Sequence, residues 1–63
     1  MQKFKTTAWP TDPAKLKYEP EWEAVISADL IGDALEQGKI LFHTHCVEHE
    51  LDPENFEVRA GTL

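Results

Sequence analysis

The chain opens on an alternation. From Gln2 to Trp9, Phe4, Thr6 and Ala8 fall on one side while Lys3, Lys5 and Thr7 fall on the other, the period of a strand whose two faces meet different surroundings. Pro10-Thr11-Asp12-Pro13 stops the run, because its prolines remove ladder donors and favour a turn. A second alternation spans residues 15–26, with Leu16, Tyr18, Trp22, Ala24 and Ile26 on one side and Lys17, Glu19, Glu21 and Glu23 on the other. Pro20 within it predicts an edge strand, since a central strand needs the missing N–H.

From about Asp29 the period lengthens. Ile31, Ala34, Leu35, Gly38, Leu41, Phe42, His45, Cys46 and His49 recur three and four apart, which predicts one apolar stripe along a helix. Ser27 or Asp29 is the expected amino-terminal cap, with Asp33 in the first turns. Gly32 and Gly38 weaken the helix by about 1 kcal/mol each relative to alanine, which suits a kink or a close approach to a sheet. Leu51-Asp52-Pro53 is the predicted stop, and Asn55 to Arg59 reads as a third strand with Phe56 and Val58 turned inward.

Strand, strand, helix, strand predicts an α+β fold. A hairpin followed by a right-handed helical crossover sets the third strand beside the first and antiparallel to it. The result is a ββαβ arrangement, a three-stranded antiparallel sheet in the order 2-1-3 packed on one long helix. The lysine strand is then central, which places Lys3 and Lys5 between Glu21 and Glu23 on one side and Glu57 on the other, in favourable cross-strand pairs.

Length fits a single small domain over residues 1–63, a size at which one core is marginal and a cofactor pocket with a lid has no room. The balance of 6 basic and 12 acidic side chains gives a net charge of −6, which disfavours direct nucleic-acid or anionic-membrane binding. That charge is uneven. Residues 1–17 hold four lysines against Asp12, a net of +3, and residues 18–63 hold Lys39 and Arg59 against eleven carboxylates, a net of −9. One cysteine, Cys46, forms no intrachain disulfide, and neither a signal-peptide pattern nor a membrane-length apolar run is present in the sequence. The expected location is therefore the cytoplasm.

The layout Trp22-Glu23-Ala24-Val25-Ile26, a helix holding Asp33-Ala34-Leu35, and a closing Pro53-Glu54-Asn55-Phe56-Glu57-Val58 resembles small acidic phage-encoded host-takeover inhibitors. Phage-encoded inhibitors of host RNA polymerase are similar in outline. The resemblance covers residues 18–59 as a pattern without a diagnostic motif, and it implies an inhibitor or adaptor acting by surface contact in the cytoplasm of a host cell.

Two groups of residues are candidates for chemistry. In His43-Thr44-His45-Cys46-Val47-Glu48-His49-Glu50, helical spacing projects His45, Cys46 and His49 from one face, where imidazole and thiolate suit zinc, nickel or copper. One chain lacks a second ligand pair, so a metal site requires a homodimer; the alternative is three core-stripe residues with ordinary hydrogen bonds. The expectation is no cofactor and no resident metal. Catalysis by Cys46 is disfavoured as well, because Glu48 and Glu50 beside it oppose a thiolate, and the scattered carboxylates form no acid–base pair. No enzymatic activity is expected.

Glu48, Glu50, Asp52 and Glu54 form the second group. They crowd the carboxyl end of the helix, where the macrodipole disfavours negative charge. A local rule broken without evident compensation marks a surface kept for a partner, against the plain alternative of a solvated, solubilising face. These four residues are the expected binding surface for a protein partner with a basic surface. The leading expectation is a non-enzymatic inhibitor of a host macromolecule. The rivals are a metal-binding homodimer through the His/Cys face and a structural subunit pairing through the edge strand at residues 15–26.

Overall fold

The computed structural model describes residues 1–16 and 18–63. Strand β1 (Gln2–Pro10) is central, flanked by β2 (Trp22–Ala28) and β3 (Phe56–Thr62), both antiparallel to it, and helix α1 (Ile31–Glu48) covers one face. The expected ββαβ fold and its 2-1-3 order are therefore observed. In register, Phe4 stands opposite Ile26 and Thr62, Thr6 opposite Ala24 and Ala60, and Ala8 opposite Trp22 and Val58. Because strand side chains alternate, these rows share the face under the helix, while Lys3, Lys5, Thr7 and Trp9 point to the open face.

Four-residue spacing builds the helix side of the core. Ala34, Gly38, Phe42 and Cys46 are its buried residues, a stripe narrower than the sequence pattern predicts. Leu35 and His45 are half-buried, and Ile31, Leu41 and His49 are exposed. Three strands present too narrow an apolar surface to cover a wider face. At one end Phe4, Ile26, Ala28 and Ala34 cluster. At the other, Ala8, Phe42 and Cys46 pack with Trp22, Leu51, Phe56 and Val58. Phe42 is the hub there, its ring centroid 5.6 Å from Trp22 and 5.4 Å from Phe56 in an edge-on contact.

Midway between the clusters the helix meets the sheet backbone-close. A Cβ on Gly38 would stand 3.0 Å from both Cβ and Cγ2 of Thr6. Thr6 is fully buried, and its hydroxyl donates to the Ala24 carbonyl at 3.0 Å. The close approach expected for one of the two helix glycines thus falls on Gly38.

Several boundaries differ from the expected ones. Among the described residues, 15, 16 and 18–21 contain no strand, and Lys17 lies outside the described residues; Pro13–Lys15 form a 3-10 turn and β2 starts at Trp22. Pro20 precedes the edge strand and does not interrupt it. Neither Ser27 nor Asp29 caps the helix. Ser27 is still paired with Lys3, and the N-cap is Leu30, which makes no side-chain capping bond. Asp33 does sit in the first turn.

At the far end α1 stops at Glu48, three residues before the predicted signal. Glu50 turns the chain with φ 57°, and the Leu51 N–H donates to the Cys46 carbonyl at 2.8 Å, a Schellman closure. Leu51 is thereby folded back onto the core, and the burial of its side chain offsets the left-handed backbone of a residue that is not glycine. Strand β3 runs on past Arg59 to Thr62. Among the described residues no helix is long and apolar enough to cross a membrane.

The cross-strand charges are partly as expected. Lys5 pairs with Glu23 at 3.3 Å, whereas Glu57 pairs along its own strand with Arg59 at 3.1 Å. The residue opposite Glu57 is Trp9, whose indole N–H donates to the Thr7 hydroxyl at 3.1 Å.

Candidate functional site: an acid-rimmed cleft at the helix carboxyl end

Two loops meet beside the end of α1, and both begin with the same dipeptide. In Asp12-Pro13 the aspartate accepts the Ala14 N–H at 3.0 Å, and in Asp52-Pro53 the aspartate accepts the Glu54 N–H at 3.0 Å. Each pair starts a 3-10 turn, with proline at a position that has no need of an N–H. The pairing of β1 with β3 brings the turns together. Pro10 lies opposite Phe56, and both the N–H and the hydroxyl of Thr11 donate to the Asn55 carbonyl, at 3.0 and 3.2 Å.

Between these loops and the turn after α1 lies a surface cleft of about 650 Å³. Pro10, Ala14, Leu16, Leu51 and Phe56 supply apolar lining, and Asp12, Glu21, Glu50 and Asp52 supply carboxylates against Lys15. The acidic groups are exposed. Asp12 and Asp52 are held by their capping bonds, while among the described residues Glu21 and Glu50 make no side-chain hydrogen bond or ion pair.

Of the four expected binding residues, Glu50 and Asp52 line this cleft. Glu48, at the end of α1, and Glu54, in the second 3-10 turn, do not. Asp12 and Glu21 belong to the cleft and escaped the sequence reading. The repeated Asp-Pro pair was the available signal for Asp12; only the fold, by carrying the start of β2 past the end of α1, brings in Glu21.

The histidine and cysteine run resolves differently. Cys46 is fully buried against Ala8 and Phe42, whereas His49 is exposed, so the three residues of the rival metal reading do not converge within one chain. His45 packs on the Phe42 ring with centroids 5.9 Å apart and on His49 at 4.3 Å. Among the described residues no group of three or more His, Cys, Asp or Glu side chains could hold a metal ion.

Burial, with the carboxylates of Asp52 and Glu21 adding to it, pushes the Cys46 thiol pKa up. The native thiol is therefore expected to resist an aromatic disulfide reagent at pH 8 and to react in full once denaturant opens the core. Rapid stoichiometric labelling of the folded protein would contradict this. The linked effect on stability has a definite sign. The unfolded thiol ionises near pH 8.5 while the folded one stays protonated, so stability is constant below that pH and falls as pH rises toward the folded value.

Neither a family model, a curated protein nor a solved structure matches this chain, so the cleft is interpreted through its own chemistry.

Proposed function

We propose that this protein is a non-enzymatic binding module that takes a basic, partly apolar segment of a protein partner into the cleft at the end of α1. The observation that carries the reading is the pairing of an apolar floor, Leu16, Leu51 and Phe56, with carboxylates from separate loops, Asp12, Glu21, Glu50 and Asp52. A lysine or arginine side chain suits both parts, because its apolar stem packs on the floor while its charged head meets the rim. The overall charge of −6 supports the same direction, since it speeds encounter with a basic surface.

Inhibition of a host macromolecule, in the manner of small acidic phage-encoded proteins and in the host cytoplasm, belongs to this proposal. An acidic module seated on a basic groove keeps nucleic acid out of it.

The test uses Glu21→Lys/Glu50→Lys, which reverses the rim while leaving both capping aspartates in place. Short peptides combining arginine with leucine are titrated into isotope-labelled protein, and amide shifts are followed. Saturable shifts are expected at Leu16, Leu51 and Phe56, with affinity falling steeply as salt is raised. The variant should fold normally and lose roughly tenfold or more in affinity, the size expected when charges facing a cationic ligand are reversed. Saturable binding elsewhere on the surface, or equal affinity for both proteins, would sink the proposal.

A further inference from the structure

We infer that β3 is an assembly edge at which two copies of this chain join their sheets, with Val58 on the two-fold axis. This interface shares Phe56 with the cleft lining but does not depend on how the cleft is used.

The two edges of the sheet are not equally finished. Strand β2 buries Ile26 and Ala28, but β3 buries none of its residues: Phe56, Val58 and Ala60 face the helix side and are only half-covered. The run Phe-Glu-Val-Arg-Ala-Gly-Thr has no proline, no lysine and no inward charge, the usual devices that stop edge pairing.

Backbone direction is also favourable. Asn55 turns its carbonyl to Thr11, and Pro10, which has no N–H to give, stands opposite Phe56. Since bonding direction alternates along an antiparallel strand, Glu57, Arg59 and Gly61 bond toward β1. Phe56, Val58 and Ala60 then direct their N–H and carbonyl groups outward, away from the sheet.

The side chains select a register. With Val58 opposite the partner's Val58, Phe56 meets the partner's Ala60, and Glu57 meets the partner's Arg59 twice over, once on each side of the axis. Those charged pairs fall at the positions without mutual backbone bonds, where antiparallel side chains approach most closely. Moving the axis to Glu57 or Arg59 sets like charges on each other. Strand β2 has no comparable register: axes at Ala24, Val25 or Ile26 set Glu23 against Val25, Ser27 or Asp29, never against a cation. The product is a continuous six-stranded antiparallel sheet with both helices on one face, closed by an isologous two-fold contact.

Sedimentation equilibrium of the intact protein tests the inference. The mass should rise from 7.2 kDa toward twice that value with concentration. Arg59→Glu and Glu57→Arg each place like charges across the axis, and each alone should weaken dimerisation by roughly tenfold to a hundredfold, as two attractive cross-strand pairs become repulsive. Mixing the two variants in equal amounts restores opposite charges at both positions and should recover the dimer. The doubly exchanged chain, Glu57→Arg with Arg59→Glu, should dimerise like the wild type, which keeps the test informative if a single variant folds poorly. A folded wild type that stays monomeric into the millimolar range overturns the inference, as does a dimer indifferent to all of these exchanges.

Discussion

Phe42→Ala is expected to unfold the protein at 25 °C. The ring is nearly fully buried at 2% exposure, and it contacts Trp22, Phe56 and His45 from β2, β3 and its own helix. Truncating such a residue removes its transfer free energy and leaves a cavity, together about 3–5 kcal/mol. A single core in a domain of this size rarely supplies more than about 3–5 kcal/mol in all. The loss therefore matches the whole stability. Far-ultraviolet circular dichroism and amide dispersion of the variant should report an unfolded chain, whereas Phe42→Leu should remain folded with a lower denaturation midpoint. A well-folded Phe42→Ala chain would mean that the three aromatic contacts are not the centre of the core.

Gly38→Ala should destabilise the fold even though alanine is the better helix former. The propensity gain is about 1 kcal/mol, and overpacking a tight site costs about 1–3 kcal/mol. Which wins depends on whether Thr6 can move. It sits in the central strand between Ala24 and Ala60, fully buried, with its hydroxyl bonded to Ala24, so the helix must move instead and loosen both clusters. A net loss of about 1 kcal/mol, or roughly 4–8 °C in Tm for a domain of this size, is expected from thermal unfolding. Gly38→Leu should abolish folding. Removing the Thr6 methyl with Thr6→Ser relieves one of the two 3.0 Å contacts and keeps the other, so Gly38→Ala in that background should cost less than in the wild type. A higher Tm for Gly38→Ala alone would show that the helix stands farther from β1 than described.

Element type and order were legible because period is a local property. Phe4, Thr6 and Ala8 alternate, Ala34, Gly38, Phe42 and Cys46 recur every fourth residue, and the handedness of crossovers did the rest. Boundaries were less legible. Leu16 and Tyr18 alternate in phase with Trp22, yet neither has a partner strand, since β1 has already ended in its proline turn; both are exposed. The α1 cap went astray because β2 holds Ser27 in the sheet by pairing. Leu41 carried the right spacing for the apolar stripe but faces beyond the margin of a narrow sheet.

The candidate site was half legible. An acidic run after a helix can be seen in sequence, and it led to Glu50 and Asp52. That Glu21, distant in sequence, shares their cleft follows only from tertiary structure. In the helical run the sequence put His45, Cys46 and His49 on one face; packing separates them, because burial within a single face falls off from the middle of the stripe to its margin.

The order of the sheet also carries a timetable. During synthesis the central strand emerges first, and the neighbour that closes its second side emerges last, after the loop and the whole of α1. Until Phe56–Thr62 is clear of the ribosome, β1 is paired on one side only, and a two-stranded hairpin has little stability of its own. Gly38 has no finished sheet on which to seat the helix during that interval. The fold is therefore completed in one late step, and a nascent chain stalled just before β3 should be as sensitive to protease as an unfolded one, however slowly the ribosome delivered it.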